Sequence, residues 1–215
     1  FHMWYGQAAS TNPSEDPLRT GYATSDCCAG VAALDNCQYI PAAAVASGAE
    51  GAFYQTDVDV NNAGGRMAEY EFAWLPRGEN NSEPITSDVF SLDAGKSARY
   101  SNVLTEVFGL EPTSFGALLI KSSSSDLLTM SRTYNLGDAD SGGTYGQAIP
   151  GIGPDEFIGG DRTQRLLFGT ENADMRTNVG CQSISASGVP LFLEIFSSDG
   201  TSLGRPYMML QPFGN

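Results

Sequence analysis

From Gln38 to Tyr134 the apolar residues arrive in short runs, each soon closed by Gly, Pro, Asn, Asp or Ser. Gln55-Thr56-Asp57-Val58-Asp59-Val60 alternates apolar and polar, the period of a half-buried strand. Met67–Leu75 (MAEYEFAWL) alternates less cleanly but is rich in aromatics. Val89–Leu92, Gly116–Ile120 (GALLI) and Leu127–Tyr134 (LLTMSRTY) read as further strands. One short helix is expected over Ser101–Gly109, capped by Ser101 or Asn102 and ended by Gly109. A chain punctuated this often cannot sustain long helices, so the expected class is all-β.

The same texture suggests how the chain is divided. Residues 1–38 read as an irregular, Cys-containing N-terminal extension, with Thr11-Asn12-Pro13-Ser14-Glu15-Asp16-Pro17 as a loop signature. A first β-sandwich is expected over 39–148. A Gly-rich link from Gly137 to Gly146 then leads to Ile149-Pro150-Gly151-Ile152-Gly153-Pro154, a connector opening a second unit over 149–215. The second unit echoes the first. Gln55–Val60 aligns with Arg176–Cys181 at an offset of 121, Glu71–Gly78 with Leu193–Gly200 at 122, and Phe90–Leu92 with Met209–Gln211 at 119. No counterpart of GALLI or LLTMSRTY follows, so the second sandwich is expected to be incomplete, or completed by the extension or by another chain.

Charge and residue supply remove several function classes. Eleven Lys and Arg face 25 Asp and Glu, a net −14 whose field repels nucleic acid. The single histidine, His2, leaves little material for a Ser-His-Asp or Cys-His mechanism or a multi-histidine metal site. No GxxxxGK[ST] loop occurs, and no two of the many carboxylates stand out as a hydrolytic pair. No run of 18 apolar residues provides a membrane-spanning helix, and a charged leader is absent from the start, so any signal peptide is expected to have been removed.

Cys27, Cys28, Cys37 and Cys181 in an acidic, Lys-poor chain point to disulfides and an oxidising compartment. A vicinal Cys27–Cys28 bond needs a strained ring. The other two pairings each join Cys37 to one of the adjacent cysteines and the second to Cys181, stapling the extension to the second unit. Four reduced thiols are the plainer alternative, and a zinc site lacks the paired clusters it needs.

Ile40-Pro41-Ala42-Ala43-Ala44, Gly51–Val58, Trp74-Leu75-Pro76-Arg77-Gly78, Leu92–Ser97, Met130–Asn135, Gly143–Gln147 and Met175–Gly180 together form a recognisable set. Across roughly 38–211 the chain resembles uncharacterised, secreted bacterial β-sandwich modules that occur in tandem on extracellular and envelope proteins. The resemblance implies immunoglobulin-like folds and an exported location (secreted, periplasmic or cell surface), and no particular activity.

Asp57, Asp59 and Asn61 begin like a calcium loop, but Asn62 replaces its turn glycine and Ala68 its bidentate Glu. Asp138 and Asp140, followed by Ser141-Gly142-Gly143, form a better oxygen-rich loop and are the candidate calcium ligands. Trp4, Tyr5 and Trp74 could stack on sugars; Trp74 reads as core, whereas Phe1, Trp4 and Tyr5 at a chain end are candidate partner contacts. The expected protein is a non-catalytic structural or interaction subunit of an exported assembly. It would bind other protein chains, copies of itself included, with no obligatory cofactor. A carbohydrate-binding accessory module, stabilised by calcium, is the alternative.

Overall fold

The computed structural model describes residues 2–7, 34–48, 51–136, 144–157 and 177–215. In chain order the described strands begin with β1 (His2–Gln7), β2 (Asn36–Ser47), β3 (Phe53–Asn62), β4 (Ala68–Pro76), β5 (Ile85–Thr86), β6 (Phe90–Leu92) and β7 (Ser97–Tyr100). After the helix α1 (Val103–Phe108) come β8 (Ser114–Ser122), β9 (Leu127–Asn135) and β10 (Tyr145–Pro150). The last are β11 (Thr177–Gln182), β12 (Val189–Phe192), β13 (Ile195–Phe196), β14 (Ser202–Gly204) and β15 (Tyr207–Leu210). The described residues are therefore mostly β with antiparallel sheets, as the punctuation of the sequence implies.

Two layers form the larger body. In one, β8 lies between β2 and β4, and β4 pairs on its other side with β5 and β6. In the other, β3 lies between β9 and β7, and β10 adds outside β9. The layers meet at a corner where Ala46 and Ser47 of β2 pair with Tyr54 and Phe53 of β3. The β2–β8 register shifts between Ile40 and Ala43, around Pro41, which has no N–H for the ladder.

The core between the layers explains the sequence pattern. Thr56, Val58, Val60 and Asn62 of β3 are fully buried, while Asp59 between them is exposed. Tyr70, Phe72 and Trp74 of β4 meet Leu118 and Ile120 of β8, with Val103 and Leu104 of α1 closing one end. Phe72 and Tyr100 pack edge to face with centroids 4.9 Å apart, and Tyr70 and Tyr100 share a 2.7 Å hydroxyl–hydroxyl hydrogen bond. The weaker alternation of β4 follows from burial on both faces: Ala73 and Leu75 lie in a second cluster with Tyr39, Ala117, Leu119, Phe157 and Ile184.

Residues 182–215 reach that outer cluster and are fastened there. The Asn81 side-chain amide donates to the carbonyls of Pro76 and Phe213, both at 3.1 Å, and the Asn81 backbone N–H donates to the Pro212 carbonyl. Asn215 donates back to the Leu75 carbonyl, and Ser183 N–H to the Gly214 carbonyl.

Several details differ from the sequence expectation. The extension read as irregular contains β1, which runs parallel to β11, and β2 already begins at Asn36. The segment read as connector is largely β10, paired with β9, so the boundary drawn at 148/149 falls inside a strand. Ile152 also exchanges backbone hydrogen bonds with Tyr39. Asn102 takes the helix N-cap position in the left-handed conformation without capping it: its side chain donates to the Thr105 hydroxyl. Gly109 ends the helix at φ 64°, as expected of a C-terminal glycine.

Candidate interaction surface

The segment from Gly188 to Asn215 contains three charged residues, Glu194, Asp199 and Arg205, for a net −1 in a chain of −14. It forms two small antiparallel ladders. Val189 faces Leu210 and Phe192 faces Tyr207 in β12–β15, and Ile195 faces Gly204 in β13–β14. Directly opposed residues share a face. Val189, Leu191 and Leu210 are accordingly buried together, with Cys181 and Leu193 packed against them. The other face carries Phe192, Tyr207 and Met209, each about half exposed. The rings of Phe192 and Tyr207 are 5.1 Å apart, and the Arg205 guanidinium lies 4.9 Å above Phe192.

Ile195, Phe196 and Leu203 in the adjoining ladder are exposed as well, at 52%, 56% and 67%. Large apolar residues clustered this way on a water-facing surface mark contact sites. The hairpin tip beyond them is polar and well ordered by its own bonds: Ser197 O–H and Thr201 N–H both donate to Asp199, holding its carboxyl down at about 2.

The sheet also has an open edge here. Leu193 N–H donates to the Pro206 carbonyl, so Val189, Leu191 and Leu193 turn their backbone groups toward β15. Alternation turns those of Phe192 and Glu194 the opposite way, where no described strand pairs with them.

Two polar clusters elsewhere have their bonds directed inward. Asp57 accepts hydrogen bonds from Asn102 N–H at 2.9 Å, Arg99 at 3.2 Å and Tyr134 O–H at 3.2 Å, tying β3 to β7, β9 and the start of α1. Burial raises the Tyr134 phenol pKa above its usual range, with the neighbouring Asp57 charge adding to it. Arg99 also reaches Asp59 at 3.8 Å, occupying the space a cation would need between the two carboxylates. On the outer face of β4 and β8, Lys121 and Glu71 form a buried pair at 3.3 Å. Among the described residues no group of three His, Cys, Asp or Glu is placed to hold a metal.

The residues singled out from sequence are dispersed. Phe1, Cys27, Cys28, Asp138 and Asp140 lie outside the described residues. Trp4 and Tyr5 belong to β1, opposite Val179 and Gly180 of β11. Cys37 is buried on β2 and Cys181 half-buried on β11. Trp74 is 3% exposed within the core, which removes it as a sugar-stacking platform. Sequence reading aligned LEIFSSDG as a repeat but missed it as a surface; its signal is the near-absence of charge over residues 188–215 despite two clusters of large apolar residues.

No protein family matches the chain, and no curated protein matches it. Among solved structures, one described as "Crystal Structure of Thermotoga maritima 1070" is similar over 55% of this chain and 91% of that one, with 13% identity and a TM-score of 0.40.

Proposed function

We propose that this chain is a non-catalytic, exported structural or interaction subunit, built from tandem immunoglobulin-like units, that contacts other protein chains in a cell-envelope or extracellular assembly. The observation that carries this reading is the conjunction at β12–β15: half-exposed Phe192, Tyr207 and Met209 beside a backbone edge that no described strand covers. Apolar area and unpaired N–H and C=O groups on one surface are what strand-mediated protein contacts use. A net charge of −14 disfavours polyanionic partners. Four cysteines in an acidic, Lys-poor chain support an oxidising location. The resemblance to secreted tandem modules supports it as well.

The test is the native mass of the chain isolated from the cells that produce it, by light scattering without reductant. A species well above 22.8 kDa is expected. A 22.8 kDa monomer at every concentration would remove the assembly role.

A further inference from the structure

The pairing of β12 with β15 repeats that of β4 with β6. Val189 opposite Leu210 and Leu191 opposite Met208 correspond to Ala68 opposite Leu92 and Tyr70 opposite Phe90, at constant offsets of 121 along the first strand and 118 along the second. These offsets replace the 122 and 119 read from sequence. The β13–β14 ladder likewise follows β4–β5, with Ile195 at the place of Trp74. Edge directions agree too. Phe72 C=O accepts from Ser87 N–H on the β5 side, as Leu193 N–H donates toward β15.

One neighbour differs. The far edge of β4 is covered along its length by β8, with Glu71 opposite Lys121, Phe72 opposite Ile120, Ala73 opposite Leu119 and Trp74 opposite Leu118. At the corresponding edge of β12–β13 no described strand is present. In the first unit the corresponding edge thus pairs with one antiparallel, largely apolar strand.

We propose that the Phe192–Phe196 edge is a strand-acceptor site for an antiparallel apolar strand of the β8 kind, donated by another protein chain. The proposal rests on the interaction role above and specifies its partner. Transferring the β8 register puts aliphatic donor residues opposite Leu193 and Ile195, as Ile120 and Leu118 stand opposite Phe72 and Trp74. Ile195, 52% exposed, gains cover. The outer positions depart from the first unit in a way that defines specificity. Phe192 replaces Glu71, so the donor residue there is apolar rather than Lys; Glu194 replaces Ala73, so a basic donor residue fits opposite it. Pro190 has no N–H, which makes Phe192, Glu194 and Phe196 the pairing residues.

The probe is a synthetic peptide of residues 114–122 (SFGALLIKS), titrated into the 215-residue chain. Its pairing amides are those of Leu119 and Lys121, which face β4 in the first unit; Leu118 and Ile120 amides face β2. Saturable binding is expected. N-methylation at Leu119 and Lys121 should weaken it at least about tenfold relative to N-methylation at Leu118 and Ile120, because ladder hydrogen bonds are lost only in the first case. The peptide carrying Leu119→Lys and Lys121→Leu should bind more tightly than its parent. Amide exchange by NMR should slow at Phe192 and Glu194.

No saturable binding, equal affinity of the two N-methylated peptides, or binding without protection at Phe192 and Glu194 would each overturn the acceptor site. If the chain from its native cells is assembled while the peptide fails, only the acceptor site falls. If that chain is monomeric, the interaction role falls with it.

Discussion

Replacing Lys121 by Met strands Glu71 as a carboxylate without its counter-ion. Both side chains are under 10% exposed, and their charged atoms are 3.3 Å apart. At an effective dielectric near 20 the attraction is roughly 5 kcal/mol, against a desolvation cost of several kcal/mol per ion. Glu71 Oε1 also lacks a well-aligned hydrogen bond although the ammonium is close, so the pair is not a fully satisfied one. Attraction and desolvation therefore nearly cancel, whereas a lone charge keeps only the cost.

Lys121→Met and Glu71→Leu should each destabilise by about 3–5 kcal/mol, while the double variant should lie within about 1.5 kcal/mol of the parent. Urea unfolding followed by Trp fluorescence reads this, because Trp74 is buried between the layers. Additive losses in the double variant would refute the reasoning, since they would mean that the two charges do not feel each other.

Burial raises the Tyr70 and Tyr100 phenols above the usual value of about 10, so the stability they contribute is present below that pH and is lost as pH rises through the raised values. The urea midpoint should fall more steeply above pH 10 in the parent than in the Tyr70→Phe, Tyr100→Phe variant; equal slopes would contradict this. Gly116→Ala places a Cβ 2.2 Å from the Leu75 carbonyl oxygen and 2.6 Å from the Trp74 ring, which should cost about 1–3 kcal/mol, whereas Gly65→Ala meets nothing within 4 Å and should stay within about 0.5 kcal/mol in the same melt. Asn81→Ala removes the donor to the Pro76 and Phe213 carbonyls, so amide exchange at Phe213 and Gly214 should quicken by roughly tenfold; unchanged exchange would show that the Asn81 side chain does not hold this segment.

The strands that sequence reading located are those with one face in water or a dense aromatic run. Alternation marks β3 because Thr56, Val58 and Val60 point inward while Asp59 points out. Aromatics mark β4 despite burial on both faces. β7 escaped notice because Ser97-Ala98-Arg99-Tyr100 is mostly polar: its place is set by pairing with β3, a long-range fact. β10 reads as a link because Gly146 ends a Gly-rich run and Pro150-Gly151 follow within a few residues. Gly146 is there for close approach, since a Cβ would lie 2.4 Å from the Thr133 carbonyl oxygen. The interaction surface was legible only as a repeat. Which face of LEIF is covered depends on neighbours that pattern alone does not supply.

The proposed role requires that the β12–β15 surface meets protein. Site-specific photo-crosslinking in the cells that make the chain tests it most directly, with the photoreactive residue at Phe192, Phe196 or Tyr207 and at exposed Lys96 as control. Discrete protein adducts are expected from the three surface positions and none above background from Lys96. Equal or absent adducts at all four positions would contradict it.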